Sequence, residues 1–223
     1  STVVIFGSAR IYDRETGEKK LAEAQAASEA NPEDEKLKKQ VDIARSVAAK
    51  AVYYEQAREL SQVVSQHSQE DSHLDLVVIT GGGPGIMEAG NLGAHDVSAK
   101  SIGLNIVLPH EQAPNSYISP DLCFQFHYFA IRKMHFLMRA VALVAFPGGF
   151  GTMDELFEAL TLVQTGKIQP LPIILFGEEY WRNIVNFEQL VTEGMISPED
   201  LELFEFVETV EEAWQKIAEA EGL

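Results

Sequence analysis

The chain has 223 residues, of which 46% are hydrophobic, and a formal net charge of −17 at pH 7. This length suits one α/β domain, and no apolar run approaches the ~20 residues that a transmembrane helix requires. The acidic charge argues against a nucleic-acid polymer or an anionic membrane as partner, because both bind basic surfaces. A single cysteine, Cys123, and the lack of a recognisable signal peptide predict a reducing cytoplasm.

The first predicted strand is Thr2–Phe6, a short run of β-branched and aromatic residues. It ends in a turn of small residues that contains Ser8 and leads to Arg10. Ligands of open α/β sheets bind outside the carboxyl ends of the strands. Ser8 is therefore a candidate ligand contact, whereas Arg10 is equally well explained as a solvated loop residue.

Residues 14–70 have a helical composition, rich in Ala, Glu, Lys and Gln and almost free of glycine and proline. Asn31 and Pro32, followed by two acidic residues, predict the start of a second helix of about 35 residues, longer than the sheet needs. The surplus, residues 17–47, predicts a helical hairpin inserted into a single domain that spans the chain. This hairpin either covers a second subunit or a flank of the domain, or is solvated without a partner.

The second predicted strand, residues 74–80, leads through the glycine-rich turn 81–85 into a helix. Gly82 and Gly83 allow backbone N–H groups to approach an anion at the start of that helix. The glycine spacing is not that of a dinucleotide site, and no Gly-Lys-Ser/Thr follows, so NAD and ATP are poor candidates. After the third predicted strand, residues 101–108, Glu111 either binds a sugar hydroxyl or a base, or is an exposed loop acid.

A predicted helix at residues 129–139 carries Arg132 and Lys133 in an otherwise acidic chain. Adjacent residues lie about 100° apart on a helix, so we expect one of the two cations to point into the ligand site. His127 and His135 flank the pair, but no third ligand stands at a useful spacing. No metal site is predicted.

A second glycine-rich turn follows the apolar run at residues 141–146 and precedes a helix predicted to start near Thr152. Its sequence, Pro-Gly-Gly-Phe-Gly-Thr-Met-Asp-Glu at residues 147–155, combines glycines with the unpaired N–H groups of a helix start and predicts an anion site. Glu155 either reaches past a bound phosphate to another part of the substrate, or stabilises the helix dipole as a first-turn acid. Two such turns in one sheet suggest a ligand held between them.

Strands and helices alternate along the whole chain, which predicts an α/β, Rossmann-like fold with a mostly parallel sheet and helices on both faces. Trp181 and Trp214 recur with aliphatic residues at helical spacing and are expected in the core. The apolar face of the long helix, together with residues 139–146, is expected to provide surface for a homo-oligomer of at least two chains. The remaining predicted elements are strands at 122–126, 171–176 and 204–207, and helices at 178–193 and 210–220.

Three of these segments resemble the LOG ("Lonely guy") family, long labelled "possible lysine decarboxylase". They are Gly-Gly-Gly-Pro-Gly-Ile-Met-Glu at 81–88, the Arg132-Lys133 pair and the segment 147–155. The family signature is Pro-Gly-Gly-x-Gly-Thr-x-x-Glu, preceded by an arginine 15 residues before the proline, which is the spacing of Arg132 and Pro147. The resemblance covers residues 3–181 apart from the helical surplus.

The resemblance implies a phosphoribohydrolase, which splits a nucleoside 5′-monophosphate such as AMP or an N6-modified AMP (a cytokinin precursor) into free base and ribose 5-phosphate. It implies Arg132 and Glu155 as catalytic residues, and neither a metal nor an organic cofactor is expected. The expected substrate-binding residues are Ser8, Gly82, Gly83, Glu111, Lys133, Gly148, Gly149, Gly151, Thr152 and Thr161.

Two other functions use the same residues. A non-catalytic sensor would bind a nucleotide between the two glycine turns and release it intact. A decarboxylase that uses pyridoxal phosphate, as the old family label suggests, needs a lysine that forms a Schiff base beside the phosphate, and Lys133 is the candidate.

Overall fold

The computed structural model describes residues 1–70, 76–107 and 113–223, with the side chains of residues 68–70 left out. Within these ranges the strands form one parallel sheet in the order β4-β3-β2-β1-β5-β6-β7, which confirms the predicted fold class. The strands are β1 (Thr2–Phe6), β2 (Val77–Thr80), β3 (Ser101–Ile106), β4 (Cys123–Phe126), β5 (Ala140–Ala145), β6 (Ile173–Phe176) and β7 (Glu205–Val207).

Helices cover both faces of this sheet. Alternate residues of the central strand β1 point to opposite faces, and all of them are buried, so apolar side chains on both faces have to be covered. Val3 and Ile5 of β1 pack in a cluster with α3, α4 and α9, whereas Val4 and Phe6 pack with α5, α6, α7 and α8. The helices are α1 (Arg14–Ala30), α2 (Glu35–Ala48), α3 (Ala51–Glu70), α4 (Ile86–Asp96), α5 (Phe129–Leu137), α6 (Phe150–Gln164), α7 (Glu178–Ile184), α8 (Phe187–Thr192) and α9 (Val210–Glu221).

The helical insertion differs from the prediction in one respect. The second helix does not run unbroken from Pro32, because α2 (Glu35–Ala48) ends at Ala48 and the next helix begins at Ala51. No glycine or proline marks this break. It falls where packing changes: α2 packs against α1, whereas α3 packs against α4 and the sheet. Tertiary contacts therefore override local helix propensity here.

Two further predictions are wrong in detail. The helix predicted at 178–193 is two short helices, and Asn186 caps the second by accepting a hydrogen bond from the backbone N–H of Gln189. Residues 142–146 provide no interface surface, because they are fully buried in the middle of the sheet.

Trp181 is fully buried, as predicted for a core residue. The first residues of the predicted second strand, 74 and 75, lie outside the described ranges.

The order of the strands determines where a ligand site can form. From β1 the chain moves through β2 and β3 to β4 at one edge, and then returns to β5 on the other side of β1. Such a reversal separates the loops that follow β1 and β5 and opens a crevice at the carboxyl ends of the strands. Ser8, Gly82 and residues 147–149 lie in the loops at this end, and α6 begins directly after them.

Candidate functional site

The loop after β1 joins the two glycine turns. The backbone N–H of Ser8 donates to the carbonyl oxygen of Pro147 at 3.0 Å, and the Ser8 carbonyl accepts from the N–H of Ile86 at 3.1 Å. A Cβ atom at Gly85, which has a φ of +71°, would lie 2.4 Å from the Ser8 carbonyl oxygen. Only glycine fits this close approach, so the structure brings both turns together around Ser8.

The first turn is held by a buried network of polar side chains. The Thr80 hydroxyl accepts from the N–H of Gly82 at 3.0 Å and donates to the side-chain oxygen of Asn91 at 2.7 Å. The side-chain amide of Asn115 donates to the carbonyl of Gly83 and to the same Asn91 oxygen, both at 3.0 Å. The N–H of Asn115 also donates to the carbonyl of Gly82 at 2.9 Å. This network fixes the shape of the turn before any ligand binds.

The second turn leaves open space in front of a helix start. Helix α6 begins at Phe150, two residues earlier than predicted, and its N-cap is Gly149, which has no side chain to cap the first N–H groups. A Cβ atom at Gly149 or Gly151 would meet no atom within 4 Å. At Gly148, by contrast, it would lie 2.1 Å from the hydroxyl oxygen of Thr152. The open side of the turn therefore presents unpaired donors, which is the geometry of an anion site.

Arg132 and Glu155 form a buried ion pair next to this turn. The Nη2 atom of Arg132 lies 3.7 Å from Oε1 of Glu155, and the two side chains are 13% and 6% exposed. Arg132 also donates from Nη1 to the carbonyl of Leu104 in β3 at 3.5 Å, and its guanidinium lies 5.5 Å from the ring centre of Phe136. These contacts fix the guanidinium on the inner side of α5, against the inner side of α6.

Burial raises the pKa of Glu155 to about 7, although the positive charges of Lys133 and Arg132 act to lower it. Desolvation disfavours the carboxylate more than the two cations stabilise it. At neutral pH both protonation states of Glu155 are therefore populated, which is the condition under which a carboxyl group can accept and return a proton.

Lys133 takes a different environment from Arg132. Its Nζ lies 2.7 Å from Oδ1 of Asp154 and 3.0 Å from Oε2 of Glu158, on the outer side of α6. Burial acts against the charge, but the hydrogen bonds to these carboxylates outweigh it and raise the pKa of Lys133. Arg132 therefore pairs with the buried Glu155, whereas Lys133 pairs with the two acids Asp154 and Glu158.

A groove of about 580 Å³ runs along the outer side of α6. Lys133 and Thr161 both line it, together with exposed aromatic side chains such as Phe150. The Thr161 hydroxyl donates to the carbonyl of Phe157 at 2.7 Å, within its own helix. Nine residues separate Thr161 from Thr152, so it lies about 13 Å farther along the helix axis. The structure does not bring Thr161 to the glycine turns.

The predicted site residues thus fall into three groups. The first group lies at the two turns and contains Ser8, Gly82, Gly83, Gly148, Gly149, Gly151 and Thr152. The second group is the ion pair of Arg132 and Glu155. The third group, Lys133 and Thr161, lies along the groove. Glu111 lies outside the described residues. Across the ranges that are described, no group of three His, Cys, Asp or Glu side chains is arranged to hold a metal ion.

Sequence reasoning missed three residues that support the turns: Asn91, Asn115 and Tyr180. The hydroxyl of Tyr180 donates to the carbonyl of Gly148 at 2.5 Å. The sequence contains a signal for Asn91, because this polar residue stands among small and apolar residues in the helix that follows the first turn. The structure buries it fully. No local pattern identifies Asn115 or Tyr180, because each acts on a turn more than 30 residues away in the sequence.

Comparison with known proteins gives a consistent result. The family model described as "Possible lysine decarboxylase" matches residues 87–217. Two Arabidopsis thaliana proteins named cytokinin riboside 5'-monophosphate phosphoribohydrolase, LOG3 and LOG4, are 30% and 28% identical over 151 residues, which cover 66% of this chain and 68% of each relative. The X-ray structure of the structural-genomics target TM1055 aligns with a TM-score of 0.58 at 21% identity, covering 98% of this chain and 99% of that one. Within the described ranges, no helix has the length and apolar character of a membrane span.

Proposed function

We propose that this chain, which belongs to the LOG family, is a nucleoside 5′-monophosphate phosphoribohydrolase. The description "Possible lysine decarboxylase" belongs to the model of the same family. Its substrate is AMP or an N6-modified AMP, and its products are the free base and ribose 5-phosphate. The observation that carries the proposal is the buried Arg132–Glu155 pair beside an open, anion-binding turn. The curated relatives' names support the same reaction class.

The phosphate of the substrate binds the second glycine turn in this proposal. Residues 149–151 offer backbone N–H groups and open space at the start of α6, and the positive end of the helix dipole favours an anion there. Glu155 follows Phe150 by five residues, or roughly 7 Å along the helix axis. That separation is on the scale of a sugar phosphate, so a phosphate at the turn directs the ribose toward Glu155.

Glu155 acts on the sugar. Cleavage of a glycosidic bond passes through an oxocarbenium-like state, which carries positive charge next to the carbon that is attacked. An ionised carboxylate stabilises this charge and can accept a proton from the attacking water. The pKa of about 7 suits Glu155 to this exchange at neutral pH.

Arg132 supplies a positive charge that does not titrate near neutral pH. At 3.7 Å from Glu155 it favours the ionised carboxylate, and its fork of N–H donors can bind phosphate or ribose oxygens. Ser8, Gly82 and Gly83 line the opposite side of the crevice and contact the sugar or the base. Lys133 and Thr161 line the groove on the outer side of α6, which is the surface that they offer to a ligand. Glu111 stays a candidate contact for the sugar or the base and lies outside the described residues.

The environment of Lys133 does not favour a decarboxylase that uses pyridoxal phosphate. A Schiff base forms from a neutral amine. The amine of Lys133 forms ion pairs with Asp154 and Glu158, and its pKa is raised. These carboxylates stabilise the protonated amine, which does not react with a carbonyl group.

The protein forms a homo-oligomer of at least two chains through the outer sides of α5 and α6. Large apolar side chains are exposed there, including Ile131, Met134 and Met138 on and next to α5, and Phe150, which is 96% exposed. A cluster of this kind on a folded surface marks an interaction site. The net charge of −17 argues against a nucleic-acid polymer or an anionic membrane as partner, and a cytoplasmic location stays a prediction.

Incubation of the purified protein with a panel of nucleoside 5′-monophosphates tests the proposal. We expect release of a free base from at least one of them, and chromatography of the released bases identifies the preferred substrate. Recovery of every nucleotide intact, with tight binding of one of them, would instead establish the non-catalytic sensor.

A further inference from the structure

Tyr180 lies behind the second glycine turn, on the side away from the open space. It belongs to α7, which follows β6, and its ring contacts the fully buried Trp181 edge-on, with ring centres 5.4 Å apart. The phenolic O–H donates to the carbonyl oxygen of Gly148 at 2.5 Å. Burial raises the pKa of Tyr180, so the phenol keeps its proton and is a donor throughout the neutral range.

The hydrogen bond from Tyr180 has a consequence for the next N–H group. In a planar trans peptide the carbonyl and the N–H point in opposite directions, and the described residues contain no cis peptide. Because the Gly148 carbonyl faces Tyr180, the N–H of Gly149 faces the other side of the turn. There is space for a ligand at Gly149, since a Cβ atom built there would meet nothing within 4 Å.

The peptide between Gly148 and Gly149 has little restraint of its own. Glycine has the widest choice of backbone conformations, and this peptide has glycine on both sides. No other residue fits at Gly148, because a Cβ atom would lie 2.1 Å from the Thr152 hydroxyl oxygen. The sequence therefore cannot restrict the turn by replacing the glycine, and the restraint has to come from a residue outside the turn.

The first glycine turn has an equivalent restraint. There Asn115 donates from its backbone and from its side chain to two successive carbonyls, those of Gly82 and Gly83, at 2.9 and 3.0 Å. In both turns, a residue from another element thus binds the carbonyls from outside.

We propose that Tyr180 is a positioning residue, which orients the Gly148–Gly149 peptide so that its N–H group faces the bound phosphate. The identity of the ligand, a nucleotide phosphate, rests on the proposed function. The role of Tyr180 does not, because any anion bound at the turn would depend on the same orientation of the peptide. Tyr180 itself does not touch the substrate.

The variant Tyr180→Phe tests this role, because it keeps the ring and its packing and removes only the O–H group. A phosphate bound equally in the ground state and the transition state contributes to KM rather than to kcat. We expect KM for the hydrolysed nucleotide to rise about five- to tenfold, the effect of one lost hydrogen bond, with kcat changed less than twofold. The dissociation constants of AMP and of inorganic phosphate, from calorimetry, should rise by the same factor.

Tyr53→Phe is the matched control. Tyr53 is also half-buried, but it packs on the opposite face of the sheet, against Phe176. This control should leave KM and both dissociation constants unchanged.

A lower Tm for Tyr180→Phe with unchanged KM and unchanged dissociation constants would show a purely structural residue and overturn the proposal. Wild-type protein that binds neither AMP nor phosphate would overturn it as well. Wild-type protein that binds AMP without hydrolysing it would contradict the proposed function alone, since the binding comparison between wild type and Tyr180→Phe still decides the role of Tyr180.

Discussion

Replacing Glu155 with glutamine should make the protein more stable at high pH. Glu155 is 5% exposed, and burial raises its pKa from 4.5 to about 7. The folded state therefore favours the protonated acid, while the unfolded chain ionises at the lower value. Unfolding releases a proton between these two pH values, so the free energy of unfolding decreases as pH rises through this window and levels off above it.

The size of the effect follows from the two pKa values. Ionisation of Glu155 costs the folded state about 1 kcal/mol at pH 5.5 and about 3 kcal/mol at pH 8.5. Glutamine has nearly the same shape and does not titrate. The unfolding free energy of the variant should therefore exceed that of the wild type by up to about 1 kcal/mol at pH 5.5 and about 3 kcal/mol at pH 8.5. The difference between the two proteins should grow by about 2 kcal/mol from pH 5.5 to pH 8.5.

Urea denaturation followed by tryptophan fluorescence measures this difference, with Trp181 fully buried and Trp214 partly buried. The series starts at pH 5.5 because the sequence pI is about 4.7, where a protein without net charge tends to precipitate. Glu59→Gln is the control for loss of one negative charge, since it makes the same chemical change at an exposed position of α3. A Glu155→Gln variant that is less stable than wild type at pH 8.5, or a difference that does not change with pH, would refute the assigned environment.

Three further predictions use other features of the site. The kcat/KM of nucleotide hydrolysis should fall about tenfold per pH unit below pH 7, because protonation removes the carboxylate of Glu155; a flat profile from pH 5.5 to 8 contradicts that role. Gly149→Ala should melt like wild type but bind AMP at least tenfold more weakly, whereas Gly148→Ala should lose stability through its clash with Thr152; equal melting and binding of the two variants argues against the anion site. Met134→Glu should reduce the mass measured by light scattering to that of one chain, 24.7 kDa, and an unchanged mass places the interface elsewhere.

Much of the fold is accessible from the sequence because its signals are local. The apolar runs that became β1, β5 and β6 are buried on both faces, and such strands have continuous apolar sequences. The glycine turns are equally visible as runs of glycine, although the reason for each glycine differs: a Cβ atom would clash at Gly85 and Gly148, whereas Gly149 and Gly151 border open space. The break between α2 and α3 is not visible, because it depends on which element each helix packs against rather than on a residue at positions 49 or 50.

The candidate site divides in the same way. Glu155 and the glycines lie in one contiguous segment, whereas the resemblance to the LOG family, and no local pattern, implies that Arg132 and Glu155 act together. Lys133 and Arg132 pair with different carboxylates, and Lys133 pairs with Asp154 and Glu158 of α6. These ion pairs depend on how α5 packs against α6, which the sequence does not show. Asn115 and Tyr180 reach the turns across the fold, so no local pattern predicts them.

The most direct test of the account is the product analysis of one reaction with two proteins. Wild-type protein and Glu155→Gln are each incubated with AMP and with an N6-modified AMP, and free base and ribose 5-phosphate are quantified together. We predict equal amounts of the two products from the wild type, and a rate at least ~10²-fold lower from the variant with its binding of AMP largely kept. Equal rates from both proteins, or no free base from the wild type with either nucleotide, would contradict the central claim.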